Sequence, residues 1–318
     1  MRLTASARLL AAPLLAATFL AGALIVGTPA AAHVERVPLY DGPAPGSERW
    51  MEARTEIRNG ERVSVFNTSQ PVYELHLPRP ERASGAAVVM LPGGGLRNLG
   101  VGADLYDEID ALVAQGVAVM LLEYRTIQMT KAELDRASAP PPPRDPNAPP
   151  PRFPRMEIVN GNANPGKGNA KLDEVLRLAT DDAQAALRLL HEKADAWRID
   201  PARIGVMGTS AGGGVAFGAL LDRTAPDEER PDFLISIFGP ALQDVTVWEG
   251  APPLFMAVEA EHGAVTDGLI EAFRIWNNAY QSAELHIYQV PNFTMTVDLW
   301  GPRLFDWMRE QKILPADK

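Results

Sequence analysis

Six short, mostly apolar runs punctuate the chain after residue 85, and the segments between them repeat their apolar residues with helical spacing. The runs occupy residues 86–91, 117–122, 204–207, 233–238, 254–258 and 285–290. A strand with one wet face alternates apolar and polar residues; a strand that does not alternate is covered on both faces. Between the runs, Ala183, Ala186, Leu187, Leu190, Ala194 and Trp197 form one stripe, and Leu269, Ala272, Phe273, Trp276 and Tyr280 form another. Leu304, Trp307 and Met308 begin a third. Each stripe reads as a helix face packed on a sheet. This alternation predicts an α/β fold, with a mostly parallel sheet, helices on both faces and right-handed crossovers. Two earlier stretches, 63–66 and 72–77, alternate apolar and polar residues and are expected to pair as an antiparallel hairpin. With the six buried strands they make an eight-stranded sheet.

The flanks of this pattern set the domain organisation. Residues 1–32 have the form of a signal peptide: Arg2 and Arg8, an uncharged apolar run at 9–26, then small residues ending in Ala30, Ala31 and Ala32. Cleavage near Ala32 is expected, with the mature protein secreted or periplasmic. The alternative is an uncleaved anchor, since a run of about 18 apolar residues just spans a bilayer; membrane contact arises only in that case. Cysteine is absent, so there is no disulfide, thiolate nucleophile or lipid-anchoring cysteine. Residues 33–60 read as an exposed lead-in, and 61–318 as a single domain. That domain is interrupted at 126–171, where periodicity fails and ten of the chain's 28 prolines crowd between Pro140 and Pro165. A loop of this length is either a lid over a site or a solvated insertion. The formal net charge of −10 argues against a nucleic-acid partner, which needs clustered Lys and Arg.

The chemistry concentrates at Gly208-Thr209-Ser210-Ala211-Gly212, a G-x-S-x-G pattern between an apolar run and a small-residue helical stretch. Strand, tight turn and helix are the setting in which such a serine is thrust out at the carboxyl end of a sheet. The helix N-terminus beside it favours an oxyanion. A second glycine cluster, Leu91-Pro92-Gly93-Gly94-Gly95, follows the first buried run, and consecutive glycines let backbone N–H groups turn toward a ligand oxygen. Dinucleotide binding fails on spacing, because Asn98 stands where the third glycine belongs. Gly166-Lys167-Gly168 lacks the spacing and preceding strand of a phosphate-binding loop.

The order LPGGG, LLEYR, WRIDPARIGVMGTSAGG, PPLFMAVEAEHGAVTDG and AELHIY resembles the α/β-hydrolase family. Within it, the chain is similar to the esterase/lipase branch that includes acetyl-xylan and feruloyl-type carboxylesterases. The resemblance runs over residues 72–308 apart from the insertion. It implies the α/β-hydrolase fold, a Ser–acid–His triad in that chain order, and hydrolysis of small acyl esters, acylated glycans among them, without a cofactor. It casts Ser210 as nucleophile and the N–H groups of Gly94, Gly95 and Ala211 as oxyanion donors. Glu261 stands where the triad acid belongs, with Glu259 and Asp267 as neighbours.

The chain departs from that pattern at the base. The histidine belongs after the run at 285–290, but Pro291, Asn292 and Phe293 occupy the place and none can take a proton. Without a base, a serine hydroxyl is a poor nucleophile. Of the five histidines, His33 is near the expected mature terminus, His76 is in an early strand, His191 is on a helix and His286 is inside the last run. His262 adjoins Glu261 and is the candidate substitute base, with Glu259 or Asp267 also able to orient it; Glu261 acting directly is the other option. A metal site built from Glu259, Glu261, His262 and Asp267 is not expected, because one histidine among loop carboxylates is a poor signal. Two readings stay open: a serine esterase with a rearranged triad, or a hydrolase fold that has lost its chemistry and serves as a binding module.

Overall fold

A computed structural model describes residues 35–137, 155–292 and 294–316. The expected leader at 1–32 and the proline-rich centre of the insertion at 138–154 lie outside the described residues.

The six apolar runs become six strands: β5 (Ala87–Leu91), β7 (Ala118–Glu123), β8 (Ile204–Thr209), β9 (Leu234–Ile237), β10 (Leu254–Glu259) and β11 (Ala283–Tyr288). Every residue of the first five is buried, which requires cover on both faces. They pair in parallel, and β4 (Val72–His76) and β1 (Arg36–Pro38) close one edge in antiparallel. The eight-stranded order is β1-β4-β7-β5-β8-β9-β10-β11. Helices α1 (Ala103–Ala114), α3 (Ala170–Glu192), α5 (Ala211–Leu221), α6 (Ala264–Asn278) and α7 (Val297–Glu310) connect or follow these strands, and a single turn, α4 (Ala194–Trp197), breaks off the end of the first stripe from α3. Helix α1 packs with α7, and α3 with α5.

The topology locates the functional end of the sheet. From β5 the chain crosses to β7 on one side, while from β8 it crosses to β9 on the other. Connections that leave neighbouring parallel strands in opposite directions open a crevice at their carboxyl ends, and ligands bind there. The segments emerging from β5 and β8 are the glycine loop and the Ser210 turn.

Three expectations change. The stretches at 63–66 and 72–77 do not form a hairpin. Strand β3 (Arg62–Phe66) instead joins β2 (Thr55–Asn59) and β6 (Asn98–Gly100) in a separate three-stranded sheet, while β4 enters the main sheet. Alternation reports a half-buried strand but not its partner. The eighth main-sheet strand is β1, from the stretch expected to be an exposed lead-in. That stretch also buries Ala44 and Ser47 and supplies β2. The described flanks of the insertion are structured too. Ile127 and Met129 are buried, α2 (Lys131–Ala137) follows, and Asn162 and Asn164 are buried with hydrogen bonds to Asp244 and the Leu242 carbonyl. Among the described residues, no helix is long and apolar enough to cross a membrane.

Candidate active site

Ser210 lies between β8 and α5 with φ 50° and ψ −124°, a conformation side-chain-bearing residues rarely adopt. Small neighbours make that turn possible. A Cβ on Gly212 would stand 2.0 Å from the Leu91 carbonyl oxygen, and one on Gly208 would stand 2.4 Å from the Gly212 oxygen. Only glycine fits at either position, so the G-x-S-x-G spacing reflects close backbone approach. Ala211 is the first residue of α5, and its N–H therefore has no helical acceptor.

The glycine loop lies directly against this turn. A Cβ on Gly93 would come within 2.8 Å of the Ser210 Cβ. The Gly93 N–H donates to Thr209 Oγ1 at 3.0 Å, and the buried Tyr124 hydroxyl donates to the Pro92 carbonyl at 2.5 Å. The N–H groups of Arg97 and Asn98 donate to the Gly94 carbonyl at 3.1 and 3.2 Å. The loop is thus pinned from both sides. Two cavities meet at Ser210: Gly94 lines one of about 910 Å³, and Gly95 and Ala211 line the other, of about 480 Å³.

His262 shares the smaller cavity with Ser210. Its side chain is 3% exposed, and its Nδ1 lies 2.8 Å from Glu259 Oε2, a carboxylate that is itself fully buried. A carboxylate only accepts, so this contact favours the tautomer with the proton on Nδ1 and leaves Nε2 as the basic nitrogen. The Phe238 ring stacks on the imidazole at 6.0 Å between centroids, and Thr266 Oγ1 donates to the Glu259 carbonyl at 2.7 Å. The carboxylate paired with His262 is therefore Glu259, the last residue of β10, and not Glu261. The Glu261 side chain is exposed, two residues further on in the turn. Asp267 sits in the first turn of α6.

The segment expected to carry the histidine has another job. Asn292 Nδ2 donates to the Glu261 carbonyl at 3.2 Å, which ties the segment after β11 to the turn that bears His262. His286 lies in β11 with its Nε2 2.5 Å from Glu284 Oε1, a local structural contact.

The larger cavity is walled on one side by an acidic helix face that no motif marks in the sequence. Asp104, Asp107 and Glu108 fall at i, i+3 and i+4 on α1, so they share a helix face, and all three line the cleft with Ser210. Glu108 is 8% exposed, and its Oε2 has no hydrogen-bond partner. Burial, with Asp104 and Asp107 adding to it, pushes its carboxyl up to about 8. A raised carboxyl favours folding while both states are protonated. That contribution fades as the unfolded chain deprotonates from pH 4.5 upward, and it is lost once pH passes about 8. Glu108→Gln should therefore gain stability relative to the parent across this window, by roughly 2–4 kcal/mol at its alkaline end. Urea unfolding at a series of pH values checks this; a gain independent of pH would contradict it.

Residues 174–286 match the alpha/beta hydrolase fold family. An acetylxylan esterase from Xylanibacter ruminicola is 26% identical over 159 residues, a stretch that covers 50% of this chain and 23% of that protein. Among solved structures, an acetyl ester-xyloside bifunctional hydrolase from Caldicellulosiruptor lactoaceticus superimposes with a TM-score of 0.53 at 16% identity, covering 88% of this chain and 97% of that one. A lipase/esterase from Lactobacillus plantarum gives 0.52 at 14% identity, covering 83% of this chain and 100% of that one. These structural likenesses bear on the fold, and the family match spans β8 with its serine turn and reaches into β11. The chain has the α/β-hydrolase fold, and over residues 174–286 it resembles that family, its esterase/lipase branch in particular.

Proposed function

We propose that this protein is a serine carboxylesterase acting on small acyl esters, acetylated sugars among them, with a triad rearranged so that acid and base leave the same strand end. Ser210 is the nucleophile, His262 the general base and Glu259 the carboxylate that holds it. The observation that carries the reading is the buried Glu259–His262 pair in the cavity that Ser210 lines. A fully buried carboxylate in contact with an imidazole is costly to maintain unless the pair has a role.

In the reaction, Ser210 Oγ attacks the acyl carbon as its proton passes to His262 Nε2. The imidazolium that forms is stabilised by Glu259, which keeps its negative charge. The oxyanion sits among the N–H groups of Gly94, Gly95 and Ala211. Collapse breaks the bond to the alcohol, which leaves with the proton from His262. Water then enters, gives a proton to the same nitrogen and attacks the acyl-enzyme, releasing the acid and restoring Ser210.

Ser210→Ala is expected to reduce turnover of p-nitrophenyl acetate by at least about a thousandfold. Equal turnover by parent and variant would remove Ser210 from the reaction. Absence of turnover in the parent would favour the second reading, a binding module, for which the Pro291-Asn292-Phe293 segment speaks. The leader supports export to the periplasm or beyond. N-terminal sequencing of the protein recovered outside the cytoplasm should begin near His33, and a chain still starting at Met1 would contradict it.

A further inference from the structure

The place of the base gives the reaction a direction in space. In the tetrahedral intermediate the acyl carbon carries Ser210 Oγ, the oxyanion, the alcohol oxygen and the acyl chain. The alcohol oxygen is the atom His262 must reach, because it leaves with the proton from that imidazole. The alcohol therefore extends on the imidazole side of Ser210 and the acyl chain on the other side. Two cavities meet at Ser210, and His262 lines the smaller. Among the described residues, no histidine lines the larger. Phe238 does line it, and its ring stacks on the imidazole, so an aromatic ring screens His262 from that space. The base's place in the family this chain resembles lies on the opposite side. Thr294, Met295 and Val297, just beyond the Pro291-Asn292-Phe293 segment, line the larger cavity. A histidine in that segment would serve an alcohol held there.

We infer that the move of the base to residue 262 exchanges the roles of the two cavities: the alcohol lies in the smaller and the acyl chain in the larger, and the preferred substrates are esters of apolar alkyl or aryl alcohols. The inference rests on the esterase reading and deepens it by naming the alcohol. The smaller cavity, of about 480 Å³, is walled by Leu96, Met156, Leu172, Leu242 and Val265, and among the described residues Arg155, an exposed side chain, is the one permanent charge in its lining. A methylene fully buried there is favoured about fourfold over one left in water. Asn164 also lines it, but its Nδ2 already donates to the Leu242 carbonyl and its Oδ1 already accepts the Gly166 N–H. The hydroxyls of a sugar alcohol find few partners in such a wall, so acetylated sugars rank behind alkyl and aryl acetates. The larger cavity carries Arg62, Asp104, Asp107 and Asp298, and an alkyl chain gains little beside hydrated charges. Met156 and Asn164 belong to the exit flank of the proline-rich insertion, which Asn162 ties to Asp244 at 2.8 Å. That flank thereby helps set the size of the alcohol site.

Isomeric esters test the assignment. Hexyl acetate and ethyl hexanoate have the same atoms, with the long chain on the alcohol side of one and the acyl side of the other. For the parent protein, kcat/KM should be at least about tenfold higher for hexyl acetate than for ethyl acetate, while ethyl hexanoate stays within about threefold of ethyl acetate. Val265→Trp on α6 and, separately, Met156→Trp fill the smaller cavity from two different segments. Each should lower the ratio of hexyl acetate to ethyl acetate by about tenfold and move the ratio of ethyl hexanoate to ethyl acetate by less than about twofold. Ala111→Trp, which narrows the larger cavity from α1, should lower the second ratio and spare the first. The comparison in the parent needs no variant and decides alone where a variant does not fold. Equal ratios in the parent, a preference for ethyl hexanoate, or variants at 265 and 156 that act on the acyl ratio would overturn the inference and leave the esterase reading in place. A parent that hydrolyses none of the three esters would remove the reading and the inference together.

Discussion

Glu259→Gln is expected to lower kcat for ester hydrolysis by about a hundredfold to ten-thousandfold, whereas Glu261→Gln should change it less than about threefold. The difference follows from which carboxylate meets the imidazole. Glu259 Oε2 lies 2.8 Å from His262 Nδ1, and the Glu261 side chain is exposed. A glutamine at 259 can present its NH₂ to Nδ1, which moves the ring proton to Nε2 and leaves no basic nitrogen for Ser210. A glutamine that instead presents its carbonyl keeps the tautomer but withdraws the charge that stabilises imidazolium. Steady-state kinetics on both variants decide the matter, and the reverse ranking would return the triad acid to Glu261. His262→Ala should fall at least as far as Glu259→Gln, because it removes the base together with its orientation.

Asp182→Ala should cost about 3–5 kcal/mol of folding stability, the largest effect expected from any single side chain away from the site. Asp182 is fully buried on α3 and receives the Arg125 backbone N–H at 3.0 Å, Nε at 2.9 Å and a terminal nitrogen at 2.7 Å. It also receives the Tyr40 hydroxyl at 2.8 Å. Arg125 in turn donates to the Leu178 carbonyl at 3.0 Å and to the Pro45 carbonyl. One carboxylate thereby ties the segment after β7, helix α3 and the amino-terminal segment together. Removing it strands a buried guanidinium. Urea unfolding of the parent and variant measures the loss, and a change below about 1 kcal/mol would show that the network relaxes around the gap. Asp182→Asn, which keeps volume and one acceptor oxygen, should lose less.

The strands that build the site were legible because burial on both faces leaves a mark in composition. All six runs became strands, but only five are buried throughout; the sixth, β11, is the edge strand and is only half-buried. The Ser210 turn was legible because Gly208 and Gly212 are demanded by backbone contacts of 2.4 Å or less. Three things were not legible. Strand partnership was lost at 63–66, since alternation records exposure and says nothing of which neighbour supplies the hydrogen bonds. The amino-terminal segment looked solvated because it is anchored by polar contacts through Tyr40 and the Pro45 carbonyl, not by an apolar stripe. The pairing at the base was ambiguous among Glu259, Glu261 and Asp267, because a turn of unknown shape leaves the direction of each side chain open. The structure resolves it through the strand: Glu259 ends β10 buried, and the chain then bends so that the ring of His262 comes back over it. The acidic face of α1 carried a readable signal in its i, i+3, i+4 spacing.

The central claim is that His262 has taken over the base's role from a segment that now holds Pro291, Asn292 and Phe293. Its most direct measurement is the rate at which a fluorophosphonate modifies Ser210 in the parent and in His262→Ala, followed by intact-protein mass. The account predicts stoichiometric modification of the parent, none in Ser210→Ala, and a rate at least about a hundredfold slower in His262→Ala. Modification of His262→Ala at the parental rate would contradict it.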